Sequence, residues 1–259
     1  MFHSQFGEDK ILASVFADKI KGCCVEVGAN DGVNGSTTLY FERLGWTTVL
    51  VEPNPELCSE LRKVRTGQLF ECAASDTDGT AVLNLAEGVD GAHALSTIST
   101  DKAAQRTLQR HGYVTRPVQV TTRRLDEVLT DAGLEQIDFM TIDVEGHELA
   151  ALKGMTLDRW RPSILIVEDN SLFGEFRVKR YLKHYGYERF YRTGVNDWFR
   201  LKGQSDPDTQ TLRASYIKMI LKGRFFVLRH TLAQMIKKID GMEVIYRTIM
   251  RRGHKKDLI

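Results

Sequence analysis

The chain is poor in the residues that staple or interrupt a fold. Only four cysteines occur in 259 residues, Cys23, Cys24, Cys58 and Cys72. None stands in a CxxC or Cys/His spacing, so a zinc site or disulfide framework is excluded and all four read as small buried hydrophobes. No apolar run reaches about 18 residues, and no leader-like segment opens the sequence, so neither a membrane span nor a secretory signal is expected. A reducing, cytoplasmic setting follows. Charge of one sign is lacking as well. With 36 Lys and Arg against 34 Asp and Glu, the net charge is +2, which gives no basis for a nucleic-acid partner. Repeats and low-complexity tracts are absent.

What is present is alternation. Short β-rich runs at Cys23–Val27, Thr48–Val51, Leu69–Ala74, Phe139–Ile142 and Ser163–Val167 are separated by helical patterns, which predicts an α/β fold with a mostly parallel sheet and helices on both faces. Helices are expected over 10–19, 37–44, 56–64, 125–132, 148–153 and 178–185, and further strands over 81–85, 118–122 and 188–191. Residues 87–116 carry much Gly, Ser, Thr and His with weak periodicity, as expected of an acceptor loop or lid. Residues 1–207 would form this domain. From 208 to 259 apolar residues recur at helical spacing, with twelve Lys or Arg against three acids between Arg213 and Ile259, predicting a basic amphipathic helical extension. It is expected either to pack on the domain or on a second copy, or to lie on the inner face of a membrane. Phe225, Phe226 and Leu228, mixed with Lys222, Arg224 and Arg229, suit the membrane reading.

Three acidic clusters fall at strand ends: Glu26 to Gly32, Glu52-Pro-Asn54 and Asp143-Val-Glu145. In an open parallel sheet, ligands bind beyond the carboxyl ends of the strands. Gly28 permits a tight turn close to a ligand, but the GxGxxG spacing of a nicotinamide site is missing. Acids there would repel a pyrophosphate and favour a cationic ligand, as S-adenosylmethionine is, with its sulfonium and ammonium groups. Glu52, 24 residues beyond Gly28, can accept both ribose hydroxyls. Plainer readings stand beside these. Glu26 could cap a helix or pair with a lysine, Glu52-Pro-Asn-Pro55 could only start a helix, and Asp76 could only begin a turn. A nicotinamide-dependent oxidoreductase and a silent binding module are the competing functions.

Taken in order, Ser4-Gln-Phe-Gly-Glu-Asp9, Val25-Glu-Val-Gly-Ala-Asn-Asp-Gly32, Gly45-Trp46, Val51-Glu-Pro-Asn54, Leu125-Asp-Glu127 and Ile142-Asp-Val-Glu-Gly-His-Glu148 resemble the FkbM family of methyltransferases. The resemblance runs over about residues 4 to 170. It implies a class I Rossmann-like methyltransferase fold that uses S-adenosylmethionine to methylate hydroxyls of sugars, glycans or natural products. It also implies that Glu26, Gly28, Ala29, Asn30 and Gly32 form the cofactor turn, that Glu52 with Pro53 holds the ribose, and that Ala74, Ser75 and Asp76 flank the adenine. Gln5 would fold over the cofactor, and Asp143 would face its methionine end. For the chemistry, His147 is a candidate base beside Asp143 and Glu145, with His93 and His111 weaker. A Mg²⁺ ion held by Asp143, Asp169 and Asn170 is the alternative.

Overall fold

A computed structural model describes residues 1–87, 98, 114–170 and 176–203. The extension expected over 208–259, most of the loop expected over 87–116, and His93 and His111 with it, lie outside the described residues. One sheet of seven strands dominates. It contains β1 (Cys23–Val27), β2 (Thr47–Val51), β3 (Gln68–Phe70), β7 (Phe139–Ile142), β8 (Ile164–Glu168), β9 (Tyr187–Thr193) and β10 (Asn196–Leu201). Their spatial order is β3-β2-β1-β7-β8-β10-β9. The five strands from β3 to β8 are parallel, and β10 runs antiparallel to both β8 and β9. The chain builds outward from β1 to β3 and then returns to lay β7 on the other side of β1. That reversal opens a crevice between β1 and β7.

Strands covered on both faces read as unbroken apolar runs, and β1, β7 and β8 are buried at every residue. Their side chains alternate between two cores. Val25, Val27, Met140, Ile142, Leu165 and Val167 face one core, closed by α4 (Leu125–Asp131), α5 (Glu148–Lys153), α6 (Leu157–Trp160) and α7 (Phe176–His184). Cys24, Phe139, Ile164 and Ile166 face the other, against Leu12 of α1 (Glu8–Val15) and Phe41 of α2 (Leu39–Arg43). Leu61 of α3 (Pro55–Val64) covers Leu50 on β2. All four cysteines are free and buried, as expected.

The structure corrects the expected strand Leu69–Ala74. Phe70 pairs with Val51 in the main sheet, the chain turns at Glu71 and Cys72, and β4 (Ala73–Ser75) joins a separate three-stranded sheet. Its partners are β6 (Val114–Arg124) and, beyond it, β5 (Gly79–Glu87). A continuous apolar run carries no mark of a change of partner. Helix α6 and strand β10 were not expected. Asp197 and Arg200 of β10 are buried as ion pairs with Arg189, Arg192 and Glu188, so charges interrupt the apolar pattern of a buried strand. No helix among the described residues is long and apolar enough to cross a membrane.

Candidate active site

A cavity of ≈ 890 Å³ opens at the carboxyl ends of β1, β2, β7 and β8. Small-molecule sites span about 300–1,000 Å³, so this one has room for a nucleoside and an acceptor together. Seven acids line it, Glu8, Glu26, Asp31, Glu52, Asp143, Glu145 and Glu168, and no Lys or Arg among the described residues does. The potential inside is accordingly negative. Gly28 and Ala29 of the expected turn are on its wall, and Gly28 is indispensable for a reason the sequence does not disclose. It has φ 87, and a Cβ there would lie 1.8 Å from the Asp143 carbonyl oxygen. The glycine lets β1 and β7 close on each other rather than only admitting a ligand. Gly32 is likewise packed, against Leu61 and Arg65, and does not reach the cavity.

Glu52 stands at the end of β2. One carboxylate oxygen accepts from the Asn30 amide and the other from the Asn54 amide, each at 2.9 Å. Asn30 has φ 51, a left-handed conformation that turns its amide to the carboxylate. The helix-start reading is also realised: Asn54 caps α3 by accepting from Glu56 N at 3.0 Å, with Pro55 in the first turn. That leaves Glu52 itself on the cavity wall with Pro53. Burial pushes its carboxyl up to about 7, against the pull of the two amides. Each oxygen keeps capacity for one more donor, which fits a ribose diol.

Glu26 is buried and its partners are at hand. Oε2 accepts from Ser36 Oγ at 2.8 Å and Thr38 Oγ1 at 2.5 Å and pairs with Arg65 Nη1 at 3.3 Å, while Oε1 accepts from the Thr37 amide at 2.8 Å. Its cation is therefore Arg65 and not the lysine considered for it, and Glu26 still lines the cavity.

At the ends of β7 and β8 the carboxylate oxygens of Asp143, Glu145 and Glu168 lie within 4.8 Å of one another. Asp143 is open to the cavity but lies deep in the fold. Burial first, and then its neighbours' charges, push all three carboxyls up: Glu145 to about 8 and Glu168 to about 11, with Asp143 raised and hydrogen-bonded to Glu168. Two carboxyl groups can hydrogen-bond only when one holds a proton, and Glu168 is the holder. Glu148 braces the turn by accepting from Gly146 N at 2.8 Å and Val144 N at 3.3 Å, which keeps Glu145 at φ 50.

The expected metal set is not assembled. Ile166, Glu168 and Asn170 line the cavity at a spacing of two residues, and Asp169 falls on the opposite side of the strand line. There it accepts from Arg192 Nη1 at 3.5 Å. Asn170 donates to Glu168 at 2.5 Å. Asp169→Asn is accordingly expected to leave turnover within about 3-fold of the parent, as for a residue that makes no contact with substrate. Glu168→Gln is expected to lower it far more, and steady-state rates of the two variants separate the assignments.

A methyltransferase FkbM domain model matches residues 26–189. The chain belongs to the FkbM methyltransferase family. The FkbM chain is 29% identical over 136 residues to the 2-O-methyltransferase NoeI of Sinorhizobium fredii, covering 50% of this chain and 56% of that one. It is 30% identical over 162 residues to methyltransferase sdnD of Sordaria araneosa, covering 52% and 61%. It thus spans little more than half the length of the curated relatives it matches. Among solved structures, a TehB-like SAM-dependent methyltransferase from Corynebacterium glutamicum aligns over 77% of this chain and 89% of its own, at 9% identity and a TM-score of 0.41.

Other expected site residues of the FkbM domain divide. Gln5 and Ala74 line the cavity. Segment 3–9 is pinned there by its own acids: Asp9 accepts from Ser4 N and Ser4 Oγ, and Glu8 accepts from Phe6 N, Thr193 Oγ1 and Asn196 Nδ2. Ser75 and Asp76 are not on the wall. Ser75 Oγ instead meets His147 Nε2 at 3.2 Å. His147 does line the cavity, and burial pulls its imidazole down against the opposing charge of Asp76. Its side chain faces β4 and does not cap α5. Sequence reasoning misses Glu8, although it stands in the Ser4–Asp9 motif, and it misses Ser36, Thr37 and Arg65, none of which stands in a pattern that signals a site. Glu168 is within its reach through the two-residue alternation of β8.

Raised carboxyls destabilise the folded chain once they must ionise. Each contributes stability that is fully present below its unfolded value and lost as pH rises through its folded one. With Glu52 at about 7 and Glu145 at about 8, the melting temperature of the ligand-free protein is expected to fall steadily between pH 5 and pH 8. Scanning calorimetry across that range checks it. A melting temperature that climbs instead would mean that these acids are already ionised in the fold at pH 5.

Proposed function

We propose that this chain is an S-adenosylmethionine-dependent O-methyltransferase whose acceptor is a hydroxyl of a sugar or glycan. The observation that carries the reading is the cavity at the strand reversal, lined by seven acids and no described Lys or Arg. Such a lining favours a sulfonium bearing an ammonium and disfavours the pyrophosphate of a nicotinamide cofactor. The name of NoeI, a 2-O-methyltransferase, supports oxygen as the acceptor atom. Glycan choice rests on the polar composition of residues 87–116 and on the family resemblance.

S-adenosylmethionine, when bound, supplies a methyl group on a positively charged sulfur. Glu52 would hold the ribose diol and Glu26 the ammonium. Asp143, raised by burial and exposed to the cavity, would take the proton of the acceptor hydroxyl as its oxygen attacks. Glu168 would keep Asp143 oriented through their shared hydrogen bond. Holding both reactants in line supplies much of the acceleration, about 7–11 kcal/mol in ideal cases. His147, tied to Ser75, is left beside the adenine end, and no step is assigned to Mg²⁺. For residues 208–259 the proposal remains a basic amphipathic helical extension, packed on the domain or on a second copy, or resting on a membrane surface.

The test is product formation from isotope-labelled S-adenosylmethionine with a panel of free sugars, oligosaccharides and polyketide alcohols, before and after exhaustive chelation. Methyl ethers of the sugars, formed at an unchanged rate after chelation, support the reading. Label only on the polyketides would move the acceptor class, and activity lost on chelation and restored by Mg²⁺ would return the metal.

A further inference from the structure

The guanidinium of Arg65 is buried next to the cavity, and the proposed cofactor contacts leave its role open. Its side chain is 1% exposed and does not line the cavity. It closes α3 and reaches under the loop between β1 and α2. Nε donates to Glu42 at 3.0 Å, Nη1 to the Gly32 carbonyl at 3.0 Å and to Ser36 Oγ at 3.2 Å, and Nη2 to Thr38 Oγ1 at 2.8 Å. Arginine is a donor only, so both hydroxyls must use a lone pair to accept from it. Each hydroxyl has a single proton, and geometry sends both to Glu26 Oε2. Arg65 Nη1 adds its own contact to the same oxygen. Oε2 is thereby filled, whereas Oε1 takes one donor, the Thr37 amide, among the described residues.

We infer that Arg65 is a positioning residue for the amino-acid end of the cofactor: by directing the Ser36 and Thr38 hydroxyls onto Glu26 Oε2, it reserves Oε1 for an ammonium N–H. The inference rests on the proposed methyl-donor site and adds a residue outside it. Charge alone would not serve. A lysine keeps the cation but lacks the planar fork that meets Glu42, Gly32, Ser36 and Thr38 at once. The pocket side of the arrangement stays anionic, since one guanidinium sits between two carboxylates, Glu26 and Glu42.

The experiment compares two probes by calorimetry on the full chain: S-adenosylhomocysteine, which carries the ammonium, and 5′-methylthioadenosine, which lacks the amino-acid end. In Arg65→Lys, S-adenosylhomocysteine binding is expected to weaken about 10-fold or more, the scale of one hydrogen bond to a charged group, while methylthioadenosine affinity stays within about 2-fold. Thr38→Val, which keeps volume and charge but removes one of the two directing hydroxyls, is expected to show the same selectivity to a smaller extent. It serves as the readout if Arg65→Lys does not fold. Equal weakening of both probes, or of neither, overturns the positioning role, because a merely structural arginine has no means to tell them apart. If the parent protein bound neither probe, the proposed function would be at fault and not Arg65.

Discussion

Glu52→Gln is expected to weaken S-adenosylhomocysteine binding about 100-fold, because the amide oxygen can still accept one ribose hydroxyl while one charge-assisted hydrogen bond worth about 1.5–3 kcal/mol is lost and the other weakened. The amide also presents a donor where the Asn30 and Asn54 amides already donate, so one of those contacts becomes repulsive. The parent protein is expected to show a pH dependence that the variant lacks. Its Glu52 carboxyl, pushed to about 7 by burial, must lose a proton to accept both ribose hydroxyls. Affinity therefore falls as pH drops below about 7. Free-protein stability moves the opposite way, because the protonated acid is the form that burial tolerates. Titrations at pH 6 and pH 8 check both halves. An affinity that is flat across that range, with Glu52→Gln binding as tightly as the parent, would falsify the ribose role.

Asp143→Asn is expected to lower kcat by about 10²–10⁴, the usual contribution of a positioned base, with a far smaller effect on S-adenosylhomocysteine affinity. The substitution removes the proton acceptor but preserves shape. It also relieves Glu168 and Glu145 of a neighbouring negative charge, so their carboxyls become more acidic and the ligand-free protein gains stability toward alkaline pH. A variant that is both slower and more stable is the signature of an acid kept for chemistry and not for folding. Should kcat survive while affinity collapses, Asp143 belongs to the cofactor and the base lies elsewhere. His147, drawn toward neutrality by burial and in contact with Ser75, would be the next group to examine.

Fold and site are legible in the sequence to unequal degrees. β1, β7 and β8 are buried on both faces, so their sequences are unbroken and their ends stand out against the acids that follow. Glu52-Pro-Asn-Pro55 can be read as ligand site or helix start; Asn54 does cap α3, and the same four residues put Glu52 on the cavity wall. Where packing rather than pattern decides, the sequence is mute. Gly28 is needed because the Asp143 carbonyl sits against it, a contact between strands more than a hundred residues apart in the chain. Leu69–Ala74 reads as one strand although its two halves pair in different sheets. Asp169 and Glu168 have equal chemistry, and only the side of the strand separates them. Arg65 lies at the end of an ordinary amphipathic helix, and nothing local says that its fork will close on five partners.

The most direct test of the account is calorimetric titration of the protein at pH 6 with S-adenosylmethionine and, separately, with NAD, repeated in buffers of different ionisation enthalpy. The expected result is one S-adenosylmethionine bound per chain, with a heat that varies between buffers because Glu52 releases a proton as the ribose docks, and no heat from NAD. Binding of NAD in preference to the sulfonium nucleoside would contradict it, for a rim of carboxylates has no way to welcome a pyrophosphate.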